Sequence, residues 1–407
     1  MASWALYDLA NTIFSMNVIS LYLSLWVVKV MGGTDAQFGY ATSISMAVIF
    51  VFSPFIGALS DQAPRRMPFL VFSNLACVAF TVMLARFDVR TTLLLFIFAN
   101  IAYQATHQFY DSLLPEVSGP HNRGRIGGIG LGVGYWGSFV GIGTGLLVLG
   151  GIDTLPTALQ TARYARVFQA TGVLFLLFSI PCFLFVRERT RAGRRVRPLD
   201  PLAAVRQVAK TLGSRGEHPG LFRFLIGRAF YTDAVNTLIS FMGIYVVMEV
   251  GFSTVQAQLV LAVGVCFASL GGFVWGRVTD RIGPKRALDI ILVVWMAVLA
   301  WTAAVGFFRL PQAAFWPVPI IAGFALGGTW ASDRPLMLRL TPPGRVGEFY
   351  GLYGMVGRFS AITGPFLWGF VVNYLGWGRP SAVLILLALV LTAWLILRPV
   401  SDRTGRK

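Results

Sequence analysis

The sequence predicts an all-α membrane protein, with twelve transmembrane helices arranged as two six-helix halves of related sequence. Three observations carry this. The 407 residues are 56% hydrophobic and only 13% charged, with a mean hydropathy of +0.69, whereas an ordinary soluble domain is roughly 25% charged. Apolar runs of about 20 residues, the thickness of a bilayer core in helix, recur along the whole chain. Short polar patterns also return at a nearly constant offset of more than half the chain.

The spans fall at 4–30, 37–60, 67–86, 91–114, 126–150, 165–186, 221–248, 255–279, 286–308, 314–338, 346–374 and 379–398. Each is expected to be helical, because a helix satisfies its own backbone groups in lipid. No charged leader or small-residue cleavage site precedes the first span, which is expected to serve as its own insertion signal. Counted together with the adjoining span ends, the connections after even-numbered spans, with the C-terminal tail, hold 25 Lys and Arg; those after odd-numbered spans hold 7. The positive-inside rule then places both termini in the cytoplasm of a multi-pass protein of the cell (inner) membrane. The net charge of +17 follows this topology, so no nucleic-acid partner is expected. Membrane lipid is, and the chain is expected to act as a monomer.

These spans group as an N-terminal six-helix half, 1–186, and a C-terminal half, 221–398, with a tail at 399–407. The linker, 187–220, begins "RERTRAGRRVRP". Within it "DPLAAVRQVAKTL" offers Asp200 as an N-cap and Pro201 at the first helical position. Leu202, Val205, Val208 and Leu212 then share one face, which predicts a short amphipathic helix on an anionic cytoplasmic surface.

The first span holds "YDLANTIFS" and the seventh "TDAVNTLIS". Asp8, Asn11, Thr12 and Ser15 match Asp233, Asn236, Thr237 and Ser240 at an offset of 225. Each set falls on one helix face. Two loop segments, "GALSDQAPRR" and "GRVTDRIGPK", match at 219 from Asp61 to Asp280, and Gly128 and Gly134 match Gly351 and Gly357 at 223. Three matches at nearly one offset indicate a parallel duplication, with Asp8 and Asp233 at equivalent depths.

The loop segments resemble the Gly-x-Leu-Ala-Asp-Arg-x-Gly-Arg-Arg signature of the major facilitator superfamily; the first departs at Gln62 and Pro64. Within it, "WALYDLANT", "AFYTDAVNTLISFMGIY", "LLPEVSGPHNRGRIGG" and "LTPPGRVGEFYGLYGMVGRFSAITGP" are similar to the autophagy-related vacuolar amino-acid effluxer branch. The resemblance covers essentially the whole chain. It implies two six-helix bundles around a cavity lined by spans one, four, seven and ten. It also implies cytoplasmic latches built from Asp61, Arg65 and Arg66 in one half and Asp280, Arg281 and Lys285 in the other. Asp111 and Asp333, near the cytoplasmic ends of spans four and ten, read as latch partners.

The residues support the lining independently. Spans one and seven carry the Asp8 and Asp233 faces, span four Gln104, His107, Gln108 and Asp111, and span ten Thr329, Ser332 and Asp333. An ionised residue at the bilayer centre costs about 2.5–3.5 kcal/mol on insertion scales, so these faces must meet water, one another or cargo. The candidate solute contacts are Asp8, Asn11, Thr12, Gln104, Arg228, Asp233, Asn236, Thr237 and Arg358. Asp8 and Asp233 could bind an amine, carry a coupling proton, or anchor a buried hydrogen-bond network. Arg228 and Arg358, the basic residues well inside spans, could grip a carboxylate or form internal ion pairs, Arg228 with an acid of its own half. His107, with an ordinary pKa of ~6.5, could exchange a proton or be structural.

Cys77, Cys182 and Cys266 lie in apolar spans without metal-type spacing and read as packing residues. The "GVGYWG" of span five follows no strand, so it is read as close helix packing rather than a dinucleotide motif. No cofactor, metal or enzymatic activity is expected. The reading is a secondary transporter of a small polar or zwitterionic solute such as an amino acid, with protons as the candidate coupling ion. A proton-coupled exporter of amphipathic compounds and a non-transporting receptor or scaffold are the alternatives.

Overall fold

A computed structural model describes residues 1–33, 35–149, 155–188, 199–213, 219–252, 254–342 and 344–401. The first six spans are Ala2–Val30, Asp35–Gln62, Met67–Thr81, Val89–Ser112, Arg123–Leu149 and Thr157–Phe185. The last six are Pro219–Met248, Thr254–Ile282, Pro284–Phe307, Pro317–Leu340, Val346–Gly369 and Arg379–Leu397. Nine of the described helices are long and apolar enough to cross a membrane. The third span falls short at 15 residues. The fourth and eleventh are diluted by the polar stripe and by glycine.

Local chemistry sets the ends. Asp88 opens the fourth span, its Oδ2 accepting from the backbone N–H groups of Arg90 and Thr91. The Thr91 hydroxyl, with those N–H groups, holds the Asp88 carboxyl below the usual carboxylate range. Gly283 (φ +89°) and Gly378 (φ +80°) stand just before the ninth and twelfth spans in a conformation that a Cβ disfavours. Each is followed by a proline at the first or second helical position. Two ends differ from expectation. The third span stops at Thr81 instead of 86, and Ala85 beyond it is left-handed (φ +56°). The sixth starts at Thr157 instead of 165, because "TALQTARYA" is rich in strong helix formers despite Arg163. The first span relaxes into π-helical turns over Ser15–Leu21 and Trp26–Val30.

The helices form two compact units. In one, the first span packs on the sixth, the second on the fourth, and the third on both the fourth and sixth. In the other, the seventh packs on the twelfth, the eighth on the tenth, and the ninth on both the tenth and twelfth. The packing scheme is thus the same in both units, as a duplication requires.

The unit limits differ from the two expected halves at two places. Unit one holds Met1–Gly119 and Val133–Val205; unit two holds Pro120–Gly132 and Arg206–Lys407. Close glycine packing explains the first difference. Gly124 and Gly128 of the fifth span lie against Gly272 and Gly276 of the eighth, so near that a Cβ at Gly128 would overlap the Gly272 carbonyl. Side-chain bonds explain the second. Within unit two, Gln207 Nε2 donates to Glu348 (2.6 Å), and Arg345 bonds Thr211 and Glu348.

The linker helix forms at Pro201–Gly213 with Asp200 as its N-cap, Oδ1 accepting from Ala203 N at 3.0 Å. Its buried face is Ala204, Val208 and Thr211; Leu202 and Val205 are exposed. The expected apolar face is therefore split, because the structure turns Val208 inward. The Leu212 side chain and residues 189–198 lie outside the described residues.

Candidate functional site

In unit one the Asp8 face of the first span is buried, with Asp8 at 4% and Asn11 at 1% exposure. Gly134 of the fifth span lies against the Asp8 carboxyl; a Cβ there would sit 3.3 Å from Asp8 Cγ. Neither end of the Asn11 carboxamide has a hydrogen-bond partner among the described residues. Thr12 spends its hydroxyl on the backbone carbonyl of Asp8 (3.0 Å), as helical threonines commonly do. Beside them Trp4, Tyr110 and Tyr7 stack, with centroids 4.5 and 5.0 Å apart. The Tyr7 hydroxyl accepts from Asn74 at 3.1 Å.

On the fourth span, His107 is partly exposed, with Nδ1 3.8 Å from Asp111 Oδ2. Gln104 is half-buried. Gln108 instead fastens the fourth span to the second: it accepts from Ser53 Oγ (2.6 Å) and donates to Ser53 O (2.9 Å).

In unit two Asp233 is 5% exposed, and Gly364 of the eleventh span faces it so closely that a Cβ would overlap Thr237 Oγ1. Among the described residues no hydrogen bond reaches Asp233 Oδ1 or Thr237 Oγ1. Asn236 is half-buried, and Arg358 of the eleventh span is buried. The two acids do not meet equivalent glycines. The repeat partner of Gly134 is Gly357, which lies against the Arg228 guanidinium, while Asp233 stands two turns on, at Gly364. The glycine that lies against each acid therefore differs between the units, and Arg228 has no basic counterpart at the matching place in the first span.

Arg228 is itself committed. Its Nε donates to Asp333 Oδ2 (3.0 Å) and Nη1 to Tyr353 O (2.9 Å), and its guanidinium lies 3.6 Å over the Tyr353 ring. Tyr231 and Tyr353 hydroxyls also donate to Asp333, at 2.8 and 3.0 Å. The pair is almost fully buried. The polar stripe of span ten is satisfied internally as well: Thr329 accepts from Trp295 Nε1 (2.9 Å), and Ser332 bonds Thr279 (2.8 Å). Arg228, Asp333 and the span-ten stripe thus join in an internal network, with Arg228 on an acid of its own half, one of the two pairings the sequence leaves open. Buried charge in a low dielectric demands this pairing.

The two loop motifs close differently. Asp61 pairs with Arg66, both buried, and Arg66 Nη1 also donates to Ser112 O (3.2 Å). Glu188 caps the third span, accepting from the backbone N–H of Arg66 (2.6 and 2.7 Å) and Met67 (2.9 Å). Asp280 accepts from Gly124 N and Arg125 N, each at 2.7 Å. This latch candidate thus lies at a helix N-terminus, where backbone N–H groups favour an anion. Lys285 is bonded to Asp289 of its own helix (2.6 and 2.5 Å), an ion pair at the helix start. Arg65 and Arg281 are exposed.

The aromatic stack, Tyr353 and Glu188 were missed from sequence. A signal for the stack was present: Tyr-Asp pairs occur at Tyr7–Asp8 and Tyr110–Asp111.

The model of the family described as "Vacuole effluxer Atg22 like" matches residues 25–407. The chain belongs to this Atg22-like family. An uncharacterized MFS-type transporter, YxiO of Bacillus subtilis (strain 168), is 26% identical over 99% of this chain and 95% of its own. Autophagy-related protein 22-1 of Neosartorya fischeri is 25% identical over 67% of this chain. The match covers only 47% of that longer fungal protein. Among solved structures, the E. coli fucose:proton symporter FucP superposes with a TM-score of 0.76 at 13% identity, over 98% of this chain and 96% of its own. This Atg22-like chain is thus a multi-pass transporter of the major facilitator fold, and not an enzyme.

Proposed function

We propose that this Atg22-like protein moves a small zwitterionic solute, an amino acid or a molecule of that form, by alternating access across a cell membrane. The charge count supports a cytoplasmic side for both termini. The observation that carries the reading is Asn11, whose carboxamide is almost fully buried and, among the described residues, unpaired at both ends. Leaving such groups unsatisfied costs about 1–3 kcal/mol. Asp233 Oδ1 and Thr237 Oγ1 present the same feature in the other unit.

A zwitterion supplies both donors and acceptors to such groups. Its ammonium suits an ionised Asp8 or Asp233. Its carboxylate suits the planar guanidinium of Arg358, which is buried in the eleventh span. Gln104, Thr12 and Asn236 flank these positions on their helix faces. Proton coupling through Asp233, Asp8 or His107 fits the same groups, and FucP is by its own description a proton symporter.

The test is Asn11→Leu, which removes the amide at similar volume. The proposal expects solute affinity to fall by about tenfold or more while thermal stability holds or rises. Lost stability with unchanged affinity would show a structural amide and overturn the reading.

A further inference from the structure

A cleft of about 360 Å³ opens between the start of the ninth span and the end of the twelfth, lined by Lys285, Asp289, Ile290, Val293, Trp394 and Arg398. It lies wholly within unit two and shares no residue with the proposed solute contacts. Lys285 is 7% exposed and bonded to Asp289. Arg398 lies flat on Trp394, its Cζ 4.6 Å from the ring. Among the described residues no carboxylate lies within ion-pair distance of Arg398. Two cations against one acid leave the cleft with a net positive charge.

We propose that this cleft binds the headgroup of an anionic phospholipid, in the leaflet that meets the Lys/Arg-rich ends of the spans. A guanidinium held against an indole keeps its planar edge available for two parallel bonds to a phosphate. Lys285 adds a point charge from the wall. The apolar residues decide between a lipid and a soluble anion. Ile290 and Val293 lie one and two turns deeper in the ninth span and are 46% and 48% exposed. On a membrane-spanning helix such side chains face acyl chains, so a phosphate at Arg398 continues into its own tail along them. Trp394 sits at the end of its span, where interfacial indoles concentrate. Basic clefts between spans at this level are suited to anionic headgroups.

The experiment titrates the purified full-length protein in detergent with phosphatidylglycerol, phosphatidylethanolamine, phosphatidylcholine and inorganic phosphate, and reads bound lipid by native mass spectrometry. Phosphatidylglycerol should bind wild type at least about fivefold more tightly than either zwitterionic lipid. Arg398→Gln should erase that preference at unchanged melting temperature, and Arg398→Lys should retain part of it. The linker-helix double variant Arg206→Gln, Lys210→Gln should leave it intact. Equal binding of phosphatidylethanolamine would make Asp289 the recognising group and overturn the proposal. Displacement of phosphatidylglycerol by equimolar inorganic phosphate would overturn it in favour of a soluble anion. A preference that survives Arg398→Gln, or vanishes in the linker-helix variant, would place lipid selectivity elsewhere.

Discussion

Asp280 closes the start of the fifth span, its two carboxylate oxygens accepting the backbone N–H groups of Gly124 and Arg125 at 2.7 Å each. A carboxylate there satisfies two otherwise orphaned donors and meets the positive end of the helix dipole. Asp280→Ala should therefore lower unfolding stability by about 1–2 kcal/mol. Asp280→Asn keeps one acceptor and should lose about half as much. Thermal unfolding of both variants checks this. Equal losses would mean that charge matters and capping does not.

The Arg228–Asp333 pair predicts an asymmetry between single and double substitutions. Removing either partner strands a buried charge, at about 3–5 kcal/mol. Arg228→Met combined with Asp333→Leu should recover most of that loss. Stability of the three variants gives the coupling. If Arg228→Met alone were harmless to folding yet lost solute binding, the residue would be a solute contact after all.

Gly364 and Gly134 stand over the two acids at different clearances. A methyl at Gly364 overlaps the Thr237 hydroxyl, whereas one at Gly134 meets Asp8 Cγ at 3.3 Å. Gly364→Ala should cost about 1–3 kcal/mol and disturb solute binding. Gly134→Ala should cost less on both counts. Melting temperature with solute titration compares them, and a reversed order would contradict the packing described for span eleven.

Asp233→Asn tests coupling. In proteoliposomes it should abolish accumulation against a gradient while sparing exchange at equal concentrations. Normal accumulation by the variant would remove Asp233 from the coupling step.

The duplication and the spans were legible because hydropathy and repeated polar offsets are properties of the chain alone. Asp200 was legible as a cap because Asp-Pro before an apolar helix has a local meaning. The partners of the polar stripes were not. Periodicity puts Thr329, Ser332 and Asp333 on one face but does not reveal that Trp295, Thr279 and Arg228 wait there. Asp333 lies 105 residues from Arg228, and only tertiary packing joins them. Asp280 illustrates the same limit, since a signature in sequence names the acid without naming the backbone it caps. Asp8, Asn11 and Asp233 were found because buried acids and amides are costly in lipid wherever they sit.

The central claim, recognition of a zwitterion, is tested most directly by ligand affinity for an amino acid against its methyl ester, in wild type, Arg358→Lys and Arg358→Ala. The account predicts that wild type prefers the free acid by about tenfold or more. Arg358→Lys should lose much of that preference despite keeping the charge, because the planar fork is gone, and Arg358→Ala should lose all of it. Equal wild-type affinity for ester and acid would contradict the carboxylate–Arg358 pairing and point to a cationic or uncharged cargo.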